Sequence, residues 1–375
     1  MRNFLLICGF IFLCGFQLLA QPLRGFNTNA FLYNFPRQEF TQAYIDTLSK
    51  LKPDVLRFPG GTIANKYHFS KTGYGQNSNF DKKTSQNYIV ELVRLVKAME
   101  HPPKVLFVIN MFEHFYKPSK SDWELIVENL AAILYLKKSG VEIAGIELGN
   151  EFYIYPVIRG WDIKLPQAMA EKLQTEKGDD WWPDTYKKYN RLAQLYQKAI
   201  KKIDPKLKTG IPMGSSLNKN HKRWNAFALK MNFSDAYVQH WYGQLSEAND
   251  EKQALESYAH FAHRVNQNVL NLKKTGKEIW ITEWNGIDFG FDNKRNLHWR
   301  QTTLHRELNI RTQNMWNDLN VDMTIYHRIS SGKDGDTYNL MNVDKGQIFV
   351  NNTYWDFLKP PFANYSKISA LYPTK

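Results

Sequence analysis

Short apolar runs alternate regularly with longer amphipathic stretches along this chain. Eight runs are rich in Val, Ile, Leu and aromatic residues, which is typical of strands buried on both faces of a parallel sheet. The predicted strands are Leu23–Phe31, Val55–Pro59, Lys104–Met111, Ile143–Leu148, Leu207–Pro212, Ala236–Tyr242, Glu278–Trp284 and Val321–Arg328.

The stretches between these runs have the pattern of helices. Ile89, Leu92, Val93 and Val96 recur at helical spacing, and Ser121-Asp-Trp-Glu124 has the form of a capping box. Eight strands, each followed by a helix, predict an α/β chain folded as a (β/α)8 TIM barrel. An open doubly wound sheet gives the same alternation, but no glycine-rich dinucleotide fingerprint supports it.

The length of 375 residues is compatible with one large α/β domain. About fifty residues follow the eighth predicted strand, which is room for a last helix and little else. We therefore predict a single (β/α)8 catalytic domain over residues 21–375, without an appended β-sandwich.

The first twenty residues have the pattern of a signal peptide. Arg2 is followed by an apolar run from Phe4 to Phe16, and Ala20 precedes Gln21 at a plausible cleavage point. We expect export to the periplasm or to the medium; an uncleaved anchor and a lipoprotein are the alternatives. No later apolar run is long enough to span a bilayer, so no stable membrane insertion is expected after cleavage.

Both cysteines of the chain, Cys8 and Cys14, lie inside this leader. The mature chain would therefore contain no cysteine. That excludes thiol catalysis, cysteine metal sites and disulfides from the mature protein.

The chain is basic, with 49 Lys and Arg against 36 Asp and Glu, for a net charge of +13. An exported protein rarely meets nucleic acid, so we predict no nucleic-acid partner. A solvated basic surface and an anionic substrate both remain open. Five basic residues follow the predicted strands four, seven and eight: Arg159, Lys164, Arg295, Arg328 and Lys333.

Two glutamates stand at ends of predicted strands, where barrel enzymes carry their chemistry. Glu151 follows strand four and Glu283 closes strand seven, and these strands face each other across a closed barrel. Two carboxylates about 5–5.5 Å apart are what a retaining glycosidase requires. Glu147 lies within strand four and is interpreted as a structural partner of Arg57.

Three motifs resemble those of clan A glycoside hydrolases, near the branches of α-L-arabinofuranosidases, β-xylosidases and iduronidases, and β-glucuronidases. The motifs are Leu56-Arg-Phe-Pro-Gly-Gly61, Leu148-Gly-Asn-Glu151 and Ile281-Thr-Glu-Trp284. The resemblance implies that Glu151 is the acid/base, that Glu283 is the nucleophile, and that Asn150 touches the sugar 2-hydroxyl. It also implies an arginine near the nucleophile, which matches Arg57.

The segment His240-Trp-Tyr242-Gly resembles the clan's His-x-Tyr-Gly segment, whose tyrosine can donate to the nucleophile. The departure is at the C-terminus, because those branches usually carry an extra β-sandwich. This departure leaves the exact family and sugar open.

Four further residues are candidates for substrate contacts. Trp284 would form the floor of the first sugar subsite, Trp181 and Trp182 would form a stacking platform, and Asn110 would bind hydroxyls. Packing is the alternative for each aromatic residue. His260 and His263 lack a third ligand at sensible spacing, so no metal and no cofactor are predicted.

The sequence thus predicts a retaining glycoside hydrolase acting on a poly- or oligosaccharide, with an anionic substrate as one interpretation of the charge. The alternatives are a non-catalytic carbohydrate-binding barrel, a polyanion-binding surface protein and a polysaccharide lyase.

Overall fold

The structure is a computed structural model. It describes residues 21–28, 40–65, 67–69, 88–115, 120–154, 178–215, 219–243, 245, 248–287, 302–329, 339–344 and 347–358. The side chains of residues 178–183, 219 and 344 are not described. The predicted signal peptide lies outside the described residues.

Eight strands close into a parallel barrel in chain order, and β1 pairs with both β2 and β8. The strands are β1 (Leu23–Asn27), β2 (Val55–Phe58), β3 (Lys104–Val108), β4 (Ile143–Glu147), β5 (Thr209–Met213), β6 (Ala236–Tyr242), β7 (Glu278–Asn285) and β8 (Met323–Tyr326). The predicted (β/α)8 barrel is confirmed.

Each barrel strand is followed by a helix in the described part of the chain. The helices are α1 (Gln42–Lys50), α2 (Tyr88–Ala98), α3 (Asp122–Lys138), α4 (Gly178–Ile203), α5 (Lys219–Ala228), α6 (Glu251–Lys273), α7 (Thr303–Asp318) and α8 (Asn352–Leu358). The predicted capping box opens α3, where the Ser121 hydroxyl and the Glu124 carboxylate each accept from the other residue's backbone N–H. The apolar face predicted for α2 is buried.

The lower half of the barrel interior is apolar. Trp280 of β7 fills it together with Val55, Leu106 and neighbouring aliphatic side chains. The indole needs the space left by Gly145 of β4, since a Cβ there would lie 2.5 Å from the ring. These apolar side chains form a plug in the lower half of the barrel. The polar side chains of the site lie above this plug, at the C-terminal ends of the strands.

One element was not predicted. A two-stranded antiparallel hairpin, β9 (Met341–Asp344) and β10 (Gln347–Val350), follows β8 and precedes α8. No appended β-sandwich occurs among the residues that the structure describes. Among those residues, no helix is long and apolar enough to cross a bilayer.

Candidate active site

Glu283 is directed into the barrel by an irregularity in β7. Gln239 of β6 pairs with Ile281, but the next residue, His240, pairs with Glu283. Thr282 is therefore the extra residue of a β-bulge in β7. The Thr282 hydroxyl lies 3.1 Å from Nε2 of His240. Bulges of this kind redirect side chains beside functional sites. This one places the carboxylate over the apolar plug.

The Glu283 carboxylate is buried, with 4% of the residue exposed. Oε1 accepts from Arg57 at 2.5 Å and from the Asn27 amide at 3.4 Å, and Oε2 accepts from the Tyr242 hydroxyl at 2.5 Å. Burial would raise the pKa of Glu283, but the positive charges of His240 and Arg57 hold that pKa well below its usual range. The group is an ionised, precisely held carboxylate at neutral pH.

His327 follows β8 and faces the same carboxylate, with Nδ1 3.5 Å from Oε2 of Glu283. The Asn27 amide nitrogen lies 3.1 Å from that Nδ1. Burial lowers the pKa of His327 to about 3 despite the attraction of Glu283. The His327 ring is therefore neutral at neutral pH, and Arg57 supplies the permanent positive charge beside Glu283.

Arg57 organises the floor of the site from β2. Its Nε and one terminal nitrogen donate to the two oxygens of Glu147, at 2.8 and 2.7 Å. The same terminal nitrogen donates to Asn150 Oδ1 at 2.9 Å, and the other reaches Glu283. Burial alone would lower the pKa of Arg57, but the two glutamates raise it. The guanidinium is permanently charged and links three site residues.

Glu151 lies just beyond β4 with a left-handed backbone, φ 45°. Its side chain is 21% exposed, against 5% for that of Glu283. Oε1 lies 3.0 Å from the Tyr153 hydroxyl and 3.0 Å from Nδ1 of His240. Burial alone would lower the pKa of His240, but Glu283 and Glu151 raise it.

The two candidate carboxylates meet at His240. One ligand atom from each of Glu151, His240 and Glu283 lies within 4.8 Å of the other two. This set could hold a divalent cation, but a cation there would compete with the buried guanidinium of Arg57 for Glu283. The same guanidinium and His240 already contact the carboxylates that such a cation would bind.

Asn150 points into the same space. Its Oδ1 accepts from Arg57, while its buried Nδ2 has no partner among the described residues. A buried donor without a partner is costly, so it is suited to meet a hydroxyl of a bound ligand.

Two residues predicted to contact substrate, Trp284 and Asn110, are buried among other parts of the protein. Trp284 is 1% exposed and packs edge to face on Tyr326, with ring centroids 5.1 Å apart. It faces the helices, on the side of β7 opposite to Glu283. Asn110 is 2% exposed, donates to the Tyr67 carbonyl and accepts from the Glu113 backbone, so it holds the loop after β3.

Trp181 and Trp182 lie in the first turns of α4, and their side chains are not described. Four of the five basic residues singled out above, all except Arg328, lie outside the described residues. Arg328 is half-buried and donates from Nε to Asn339 at 2.9 Å.

Sequence reasoning missed Asn27, Tyr153 and His327. Asn27 and His327 stand at the ends of β1 and β8, so the rule that led to the glutamates also applies to them. No residue-type signal in the sequence separates them from other polar residues at strand ends.

The solved structures that resemble this fold include glycoside hydrolases. An α-L-arabinofuranosidase from Thermotoga maritima, in complex with arabinose, has a TM-score of 0.56 and 15% identity; the match covers 90% of this chain and 70% of that one. A GH51 α-L-arabinofuranosidase from Thermotoga petrophila RKU-1 has a TM-score of 0.56 and 15% identity, covering 91% and 69%.

A 4-O-α-L-rhamnosyl-β-D-glucuronidase from Fusarium oxysporum 12S, in complex with Rha-GlcA, has a TM-score of 0.52 and 14% identity; the match covers 90% of this chain and 68% of that one. The resemblance to clan A glycoside hydrolases is thus confirmed at the level of the fold. No protein-family model and no curated protein matches the chain.

Proposed function

We propose that this protein is a retaining glycoside hydrolase with Glu283 as nucleophile and Glu151 as acid/base. The observation that carries the proposal is that the carboxyl groups of these residues approach within 4.8 Å in unequal environments. A spacing near 5 Å suits direct attack by one carboxylate, whereas inverting enzymes leave room for a water.

The first step is glycosylation of the enzyme. Glu283, kept ionised by Arg57 and by the hydrogen bond from Tyr242, attacks the anomeric carbon. As the glycosidic bond breaks, Glu151 gives its proton to the leaving oxygen. The Asn150 amide donates to the neighbouring hydroxyl of the sugar, which supplies the partner that its Nδ2 lacks.

The second step is hydrolysis of the glycosyl-enzyme. Glu151, now a carboxylate, removes a proton from water, which attacks the anomeric carbon and releases Glu283. The greater exposure of Glu151 supports its role as the group that meets the leaving alcohol and the incoming water.

The paired carboxylates favour catalysis over the alternatives. A non-catalytic sugar-binding barrel needs no ionised nucleophile fixed by a buried arginine, and a polyanion-binding surface protein needs no buried pair of carboxylates. A lyase requires a base that abstracts a carbon-bound proton, and it gives unsaturated products that absorb ultraviolet light.

We also propose that the protein is exported by its N-terminal leader and that its substrate is an anionic poly- or oligosaccharide. Support for the second point is the net charge of +13. The arabinofuranosidases and the glucuronidase that share the fold guide the first choice of test substrates.

The test is turnover by the full mature protein on a panel of aryl α-L-arabinofuranosides, β-D-xylosides and β-D-glucuronides, and on neutral and anionic polysaccharides. Proton NMR of the first-formed anomer should show retained configuration. Glu283→Gln should lower kcat about 10⁴-fold or more. The matched control is Glu278→Gln, at the opposite end of the same strand, which should stay within about two-fold of wild type.

An inverted first product would contradict the retaining assignment. Loss of activity in a chelator would contradict a mechanism carried by the two glutamates alone. Binding of saccharides without turnover in any substrate would favour the non-catalytic barrel.

A further inference from the structure

Tyr153 contacts Glu151 but takes no direct part in the two steps of the proposed double displacement. It lies in the 3-10 turn Phe152–Ile154, two residues after Glu151, and its hydroxyl donates to Oε1 of Glu151 at 3.0 Å. The residue is 5% exposed. Burial and the neighbouring carboxylate raise the pKa of Tyr153, so the hydroxyl remains a donor at any working pH.

The same oxygen accepts a second hydrogen bond. Nδ1 of His240 lies 3.0 Å from Oε1 of Glu151, so a hydrogen on that nitrogen is donated to this oxygen. Oε1 is therefore doubly occupied, whereas Oε2 has no partner among the residues described. When Glu151 is protonated, a proton on Oε1 would have to displace one of the two donors.

Tyr153 is itself fixed by the corner between β5 and α5. The ring of His221 packs edge to face on the ring of Tyr153, with centroids 4.7 Å apart. The Ser215 hydroxyl lies 3.0 Å from Nδ1 of His221. Asn225 of α5 clamps the adjacent Gly214 through two hydrogen bonds of 2.8 Å to its backbone N–H and carbonyl. The corner leaves the phenol ring little freedom.

We propose that Tyr153 is the positioning residue of the acid/base: together with His240 it occupies Oε1 and assigns proton transfer to Oε2 of Glu151. This inference rests on the proposed function. In the first step the Oε2–H bond breaks and an O–H bond forms on the leaving oxygen. The C1–O bond breaks with its electron pair going to that oxygen, and a C1–O bond to Glu283 forms.

The test is Tyr153→Phe, which removes one hydroxyl and keeps the ring that packs on His221. Proton transfer matters only for leaving groups that need it. We therefore expect kcat/KM to fall about ten- to hundred-fold for alkyl or saccharide leaving groups and less than about three-fold for a dinitrophenyl leaving group. His221→Ala should give a smaller loss with the same dependence on the leaving group.

Tyr189→Phe is the matched control. Tyr189 is also buried, and its hydroxyl donates to the Leu148 carbonyl at 2.6 Å, beside the end of β4 and away from both carboxylates. Tyr189→Phe should change kcat/KM only slightly, and by the same factor for both classes of leaving group. Thermal unfolding of each variant separates loss of folded protein from loss of proton transfer.

Equal losses for both leaving-group classes in folded Tyr153→Phe would overturn this inference and leave the glycosidase proposal standing. A wild-type protein that turns over no glycoside would overturn the proposed function, and the inference with it.

Discussion

Arg57 and Glu147 form a bidentate ion pair inside the barrel, and both side chains are fully buried. The pair holds the guanidinium from below, so its remaining N–H groups can reach Asn150 and Glu283. Removing one partner of a buried ion pair leaves an uncompensated charge, which is far more costly than losing a surface pair.

Glu147→Gln should therefore destabilise the protein by about 3–5 kcal/mol, measured by urea unfolding. The matched control is Glu142→Gln just before β4, whose partner Lys104 is 41% exposed. Glu142→Gln should lower the free energy of unfolding by no more than about 1 kcal/mol. An equal loss of unfolding free energy in the two variants would show that the buried Arg57–Glu147 pair does not stabilise the site.

Trp284 should contribute to stability and not to substrate binding. Trp284→Phe should destabilise the protein by about 1–3 kcal/mol, because the smaller ring leaves a gap against Tyr326. KM for any substrate should stay unchanged. Trp355→Phe, at a side chain that is 52% exposed, is the control and should be nearly neutral. A raised KM in Trp284→Phe would restore the subsite interpretation.

The alternation of apolar runs was enough to predict the barrel, since eight strands with eight following helices have few other closed arrangements. The positions of Glu151 and Glu283 at the ends of opposing strands were enough to predict that these residues lie close together. The β9–β10 hairpin was missed because its strands, Met341–Asp344 and Gln347–Val350, are only four residues each.

The outward position of Trp284 has a physical reason. Successive residues of a strand point to opposite faces, so a residue directly after the inward-facing Glu283 points outward. The roles of Asn27 and His327 could not be predicted, because nothing in the sequence distinguishes them from other polar residues at the ends of strands.

The acid/base role of Glu151 can be tested with substrates that differ in their leaving group. Glu151→Ala should impair hydrolysis of substrates with poor leaving groups far more than that of activated aryl glycosides, because only the former need protonation. Added azide should partly restore activity by attacking the glycosyl-enzyme in place of activated water. Equal impairment for both substrate types, with no effect of azide, would assign the acid/base role to another residue.

The basic charge of the chain predicts a salt effect on an anionic substrate. Steering of a polyanion weakens as the Debye length falls from about 10 Å at 0.1 M salt to about 3 Å at 1 M. kcat/KM for a uronate or sulfated chain should fall at least about ten-fold over this range. An aryl glycoside of a neutral sugar should respond little. Efficient, salt-independent hydrolysis of a neutral polysaccharide, with no activity on acidic chains, would contradict an anionic substrate.

His68 predicts loss of stability at alkaline pH. Its Nδ1 lies 3.0 Å from Glu128, and Nε2 lies 3.8 Å from Glu113. Burial alone would lower the pKa of His68, but hydrogen bonds to the two glutamates raise it to about 9. Since the folded pKa is above the unfolded value of about 6.5, the contribution is complete below pH ~6.5 and is lost as pH rises through ~9.

The contribution is roughly 3 kcal/mol, because each pKa unit corresponds to about 1.4 kcal/mol. Denaturant unfolding of wild type between about pH 6 and 9.5 should show this decline, and His68→Gln should flatten it. His101→Gln, at a side chain that is 58% exposed, should keep the wild-type slope. An unchanged slope in His68→Gln would mean that the charged imidazolium does not hold these two glutamates, and that the loops after β2 and β3 are fixed by packing alone.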